Sequence, residues 1–100
     1  MVVYNNTVLV DWAIAPEWLA WKRMQQKEVM NTDLFYDSKM YRLLEQDDAQ
    51  GPTYIIQYFA ATLDDYLVYR SSFASAFEKK EKELWQQGFA SFHTLMEVVN

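Results

Sequence analysis

The stretch "GPTYIIQYFA", Gly51 to Ala60, decides how this chain folds. Tyr54, Ile56 and Tyr58 alternate with Ile55, Gln57 and Phe59, and successive side chains of a strand point to opposite faces. Both faces are apolar apart from one amide, Gln57. The face that carries it is too apolar for water and too polar for an ordinary core. Such a face is expected to lie between two sheets, where the amide finds a partner.

Upstream of this strand, "QDDAQG" (Gln46 to Gly51) is polar and closes with Gly-Pro, as a hairpin loop should. It joins a strand over Phe35 to Glu45 to the strand over Pro52 to Phe59, and strands this close in sequence pair antiparallel. Val2 to Val10 is rich in β-branched residues and reads as a further strand. Pro16 and Glu17 open a helix whose stripe is Trp18, Trp21, Met24 or Gln25, and Val29, fading around Asn31 to Asp33. Downstream, Thr62-Leu63-Asp64-Asp65 resembles a capping box. The helix it opens buries Tyr66, Tyr69, Phe73, Ala76 and Phe77 and ends at Leu84 or Trp85, with Gly88 expected at positive φ beyond it. Phe89 to Val99 is the last strand.

The order β-α-β-β-α-β predicts an α+β, ferredoxin-like fold: a four-stranded antiparallel sheet with both helices on one face. Residues 1–100 read as a single ferredoxin-like domain, since a chain this short has room for one core. The helix-facing set is expected to be Tyr4, Val8 and Val10; Met40 and Leu44; Tyr54, Ile56 and Tyr58; and Phe92, Met96 and Val98. Asn6 falls among them unexpectedly, as a satisfied amide or at a bulge. The opposite face holds Val3, Asn5, Thr7 and Leu9; Lys39, Tyr41 and Leu43; Ile55, Gln57 and Phe59; and Ser91, His93 and Leu95. Left in water, its apolar members would form a patch that monomers seldom tolerate, so a homodimer is expected, with two sheets face to face.

Composition narrows the function. With 51% apolar and 17% aromatic residues the chain is not disordered. Nine Lys and Arg against fourteen Asp and Glu leave a charge of −5, which disfavours a nucleic-acid partner. "EKKEKE", Glu78 to Glu83, mixes both signs and reads as a solvated helix face with Glu78–Lys82 and Lys79–Glu83 pairs. The absence of cysteine removes disulfides, thiolate catalysis and Cys-based metal sites. "MVVYNNTVLV" lacks the pattern of a signal peptide, and no apolar run approaches the ~20 residues that span a bilayer. A cytoplasmic protein with no membrane partner is expected.

Several stretches resemble one bacterial family, the domain of unknown function 4286. They are "VVYNNTVLVD" at the start, "WLAW" (Trp18 to Trp21), "RLLEQD" (Arg42 to Asp47), "TYIIQYFA" (Thr53 to Ala60) and "FASFHTLMEVV" at the end. None is a catalytic signature. The resemblance implies the architecture of the dimeric α+β barrels, which include monooxygenases, haem-degrading enzymes and dismutases as well as proteins with no known activity; fold does not settle function. The chain departs from the family pattern at "MQQKEVM" (Met24 to Met30), where members often carry His-Ile-Pro, and around Asp33, where a Gly usually stands. Members often have Arg at the position of His93, so a cation there becomes titratable in this chain.

Asn5, Thr7, Lys39, Tyr41, Gln57, Ser91 and His93 are the candidates to line an inter-sheet cavity that binds a small molecule, or to bond one another across an interface. His93 is the sole histidine. No His-x-His or His-carboxylate spacing suggests a metal site, and no cofactor is indicated. Two readings stay open. One is a dimeric small-molecule-binding or structural protein; the other is a cofactor-free barrel enzyme, monooxygenase- or isomerase-like, using His93 with Lys39 or Tyr41 assisting.

Overall fold

The computed structural model describes residues 1–100. Its elements are β1 (Val2–Val10), α1 (Ala15–Met30), β2 (Asp37–Arg42), β3 (Thr53–Ala60), α2 (Leu63–Tyr69), a π-helical turn (Arg70–Ala74), α3 (Ser75–Trp85) and β4 (Phe89–Glu97). The strands form one antiparallel sheet in the order β2-β3-β1-β4. This is the ferredoxin-like arrangement, with the helical layer packed against one face through Trp18, Val29, Tyr66, Tyr69 and Ala74.

The local signals for β1, β3 and the helix starts hold. Pro16 sits in the first turn of α1. Thr62 caps α2, its hydroxyl accepting from the Asp65 N–H at 3.2 Å. Asn5 opposes Gln57 and Tyr4 opposes Tyr58, so the faces expected for β1 and β3 are those found. No bulge interrupts β1, and Asn6 faces the helices beside Ile56.

The second strand is shorter than expected. The hairpin's last rung is the Leu43 N–H donating to Thr53 O at 2.9 Å, after which the chain leaves the sheet. Leu44 is therefore 82% exposed instead of helix-facing.

Further expectations are corrected by tertiary geometry. In β4, Val8 opposes Ser91, Asn6 opposes His93 and Tyr4 opposes Leu95. Directly opposed residues share a face, so Ser91, His93 and Leu95 point to the helical side while Phe92 and Met96 point away. Apolar residues occur at both parities in this strand, so alternation alone could not choose the face; pairing with β1 does.

In the second helical arm, Tyr69 and Ala74 are buried five residues apart, because the π-turn inserts one residue into the α-helical phase. Phe73 and Ala76 are rotated outward, and Glu81 is rotated inward. In α1 the buried positions are Ala15, Trp18, Lys22, Gln25 and Val29. Trp21 is half-buried instead, edge-on to Trp85 at 6.0 Å.

Positive φ beyond α3 falls on Gln86, at 51°, and not on Gly88. A Cβ on Gly88 would lie 2.5 Å from Ile14 Cδ1, the end of a side chain that can turn aside. Asp33 has φ of 63°, the left-handed region that glycine occupies at least cost.

Gly51 is the tighter constraint. A Cβ on it would lie 1.7 Å from the Val10 carbonyl oxygen, a backbone atom that cannot swing away. Gly51→Ala is expected to cost about 3 kcal/mol, at the upper end of overpacking effects. Urea unfolding checks this; a loss below about 1 kcal/mol would show that the loop relaxes freely.

Candidate functional site

The sheet brings together five of the seven candidate residues. Lys39, Gln57, Asn5 and Thr94 form one cross-strand row on the uncovered face, and Tyr41, Ile55, Thr7 and Phe92 form the next. Gln57 Nε2 donates to Asn5 Oδ1 at 3.2 Å, and Asn5 Nδ2 donates to Thr7 Oγ1 at 3.4 Å. The amide in the apolar strand is thus partnered within its own chain. Around this polar row lie Leu9, Leu43, Ile55, Phe59 and Phe92, with a groove of about 520 Å³ bordered by Thr7, Leu9, Leu43, Thr53 and Phe92.

Ser91 and His93 are on the other side of the sheet. Lys39 and Tyr41 therefore cannot assist His93 within one chain. The partner of His93 is Arg70, whose Nη2 lies 3.3 Å from the imidazole Nε2. Arg70 stands on the π-turn and reaches four groups: Tyr66 Oη and Tyr4 Oη at 3.3 Å, Glu78 Oε2 at 3.0 Å, and His93. Partial burial pulls its pKa down, but the hydrogen bonds to Tyr66 and Glu78 more than offset that, so it stays cationic.

Behind this cluster lies a buried polar network. Lys22 Nζ donates to Gln25 Oε1 at 2.8 Å and to both Glu81 carboxylate oxygens at 3.2 Å. Trp18 Nε1 donates to Glu81 Oε2 at 3.0 Å, and Gln25 Nε2 donates to the Phe77 carbonyl at 3.2 Å. Lys22 is 4% exposed and Glu81 7%. Burial lowers the lysine's pKa against the opposing pull of Glu81, so the cost of desolvation exceeds what the carboxylate returns.

A cavity of about 50 Å³ adjoins this network, lined by Tyr4, Asn6, Lys22, Tyr58, Glu81 and His93 among others. Burial pushes the Tyr58 and Tyr69 phenols well above their ordinary value of 10.0. A raised folded pKa contributes stability that is present below the unfolded value and lost as pH climbs above it. Stability is expected to fall above pH 10 by up to ~1.4 kcal/mol per pH unit for each phenol. Tyr58→Phe should make that fall shallower by about one proton's worth. Denaturant unfolding at several alkaline pH values checks this; an unchanged slope would mean that Tyr58 ionises in the fold.

No group of three or more His, Cys, Asp or Glu side chains comes together as a metal site would require. No helix is long and apolar enough to cross a membrane.

Comparison with known proteins places the chain. A model described as "Domain of unknown function (DUF4286)" matches residues 1–99. The chain belongs to this DUF4286 family. No curated protein matches it significantly. Among solved structures, a dimeric ferredoxin-like protein from an uncultured marine organism is similar with a TM-score of 0.74 at 10% identity, covering 99% of this chain and 95% of that one. SnoaB, a cofactor-independent oxygenase from Streptomyces nogalater solved as a point mutant, is similar with a TM-score of 0.68 at 17% identity, covering 99% and 93%. A dimeric ferredoxin-like protein of unknown function from Thermobifida fusca has a TM-score of 0.57 at 7% identity, covering 97% and 92%. At these identities the likeness is one of fold.

In this DUF4286 chain the residues that sequence reasoning missed are Lys22, Glu81 and Arg70. Glu81 sits inside "EKKEKE", where alternating charge argued for a solvated face. The outer members behave in part as expected: Lys79 pairs with Glu83 at 3.8 Å, while Glu78 turns to Arg70 instead of Lys82. Only the phase shift of the π-turn carries Glu81 inward. A weak signal did exist in α1, where Lys22 and Gln25 share a helix face with Trp18 and Val29.

Proposed function

We propose that this chain works as a homodimer whose two sheets meet face to face in an α+β barrel, binding a small molecule between them. The observation that carries this is the uncovered sheet face, where Phe92 is 64% exposed and Tyr41, Leu43 and Met96 are also open to solvent. A second copy would remove that surface from water, the main driving force for association. Asn5, Thr7, Lys39, Tyr41 and Gln57 are the polar groups that would orient a ligand, beside a groove whose size falls in the range of small-molecule sites. The Ser91 and His93 side chains point to the helical face instead, although Ser91 still borders the groove. Residues 1–100 act as one ferredoxin-like unit, with the cytoplasm as the working compartment. Two of the similar structures belong to proteins described as dimeric, which supports the assembly without deciding the ligand.

Native mass spectrometry before and after denaturation tests this reading. A dimer carrying mass that denaturation releases is expected, and Phe92→Asp should shift the protein to monomer by burying an unpaired charge in the interface. A wild-type monomer at micromolar concentration would overturn it.

A second reading, cofactor-independent oxygenase chemistry as in SnoaB, is favoured by His93 held against Arg70 at the mouth of a polar cavity. Oxygen uptake with quinol substrates that is lost in His93→Ala would establish it; no uptake across a broad quinol panel would remove it.

A further inference from the structure

We propose an anion-binding site between α1 and the β2 edge of the sheet, for a small molecule with an apolar body and a single carboxylate. It is independent of the inter-sheet site, since Met40, Arg42 and Tyr54 lie on the helical face of the sheet.

An open groove of about 410 Å³ runs there, within the size range of small-molecule sites. Local order builds it. Leu19, Arg23 and Lys27 recur at intervals of four and so share one side of α1. Met40 and Arg42 alternate with Tyr41 along β2, and Arg42 opposes Tyr54 on β3. Leu19, Met40 and Tyr54 are half-buried and supply an apolar floor. Two contacts hold this frame in place. Gln26 Nε2 donates to Ser38 Oγ at 2.7 Å, tying α1 to β2, and the Tyr54 ring stacks on Trp18 at 5.5 Å.

Charge selects the occupant. Three of the chain's nine Lys and Arg line the groove and none of its fourteen Asp and Glu does, against the acidic balance of the whole. Arg42 is partly committed: its Nη2 lies 3.5 Å from Asp48 Oδ2, and its guanidinium carbon 5.6 Å from the Trp12 ring. Arg23 and Lys27 are exposed and take part in none of the four ion pairs of the structure. Two free cations above an apolar floor complement an amphiphilic anion. Its body leaves water on Leu19, Met40 and Tyr54 while its carboxylate meets Arg23 and Lys27. A polyanion fits less well. The adjoining hollow of about 300 Å³, which shares Gln26 and Lys27, carries Asp37, and the net charge of −5 repels whatever extends farther.

The test is an amide NMR titration of the full chain at neutral pH with cinnamate, and with cinnamamide as the same shape without the charge. Cinnamate is expected to shift Leu19, Arg23, Lys27, Met40 and Tyr54 and to bind about fivefold more tightly than the amide, the margin that two exposed ion pairs supply. That margin should shrink as salt is added. Arg23→Gln with Lys27→Gln should abolish it, and both side chains are exposed, so the fold survives the change. Phe92→Asp, on the opposite face, should leave it intact. Equal binding of the two probes by the wild type, no shifts up to the solubility limit, or shifts confined to Thr7, Leu9 and Phe92 would each overturn the proposal. So would a margin that survives the double substitution. Tighter binding of tripolyphosphate than of cinnamate at the same amides would overturn it in favour of a polyanion site.

Discussion

Glu81→Leu is expected to destabilise the protein by about 3–5 kcal/mol, a large share of the ~5–15 kcal/mol that holds a domain together. The carboxylate is the only anion on Lys22, at 3.2 Å on both oxygens, and it also accepts from Trp18 Nε1. Removing it leaves an ammonium that is 4% exposed with one amide oxygen and the faces of the Trp18 and Trp21 rings for company. The chain must then bury the charge unpaired or release the proton, and either costs folding energy.

The pair itself is a different matter. Desolvation already outweighs the pull of Glu81 on the lysine, so an apolar pair of similar volume should serve the fold as well. Lys22→Met/Glu81→Leu is therefore expected to recover most of what Glu81→Leu loses. Urea unfolding reads both variants, as a lowered midpoint at unchanged slope for the single and a midpoint most of the way back to wild type for the double, which still leaves Trp18 Nε1 without its acceptor. A single variant within about 1 kcal/mol of wild type would mean that Lys22 escapes to solvent, and the network would then have no hold on the core.

Trp18→Ala should cost a comparable 3–5 kcal/mol, through lost packing. Trp18 is fully buried, its ring stacks on Tyr54 at 5.5 Å, and the space it fills lies where α1 meets β3. Trp18→Phe separates the two contributions, keeping an aromatic ring while losing the N–H to Glu81. It should cost about 1.5–3 kcal/mol beyond the change in volume, the worth of a bond to a charged acceptor. Because Trp18 and Glu81 share that bond, Trp18→Phe with Glu81→Leu should cost less than the sum of the two. Strict additivity in this cycle would show that the indole and the carboxylate do not interact in solution.

These two residues also mark where reading the chain residue by residue reached its limit. Trp18 was legible as core because it begins a run of apolar positions three and four apart, and a helix must bury such a stripe. Glu81 was not, because its neighbours at i±1 and i±2 are charged and its burial depends on one residue inserted at the π-turn. The candidate site divided along the same line. Asn5, Thr7, Lys39, Tyr41 and Gln57 share a face because strand alternation is a local rule, and the pairing of β1, β2 and β3 keeps the parity read from the sequence. Ser91 and His93 went to the other face because β4 alternates apolar side chains at both parities.

Element order, the first-turn proline Pro16, the Thr62 cap and the two faces of Thr53–Ala60 follow from the chain alone, since each rests on interactions spanning a few residues. Which face of β4 meets the helices, which carboxylate of "EKKEKE" enters the core and which basic residue meets His93 were decided only on folding. Each of those depends on groups that are distant in sequence: Asn6 and His93, Lys22 and Glu81, Arg70 and His93. The energy that chooses between their alternatives is the cost of burying a polar group without a partner, and a partner far along the chain exists only once the layers have packed.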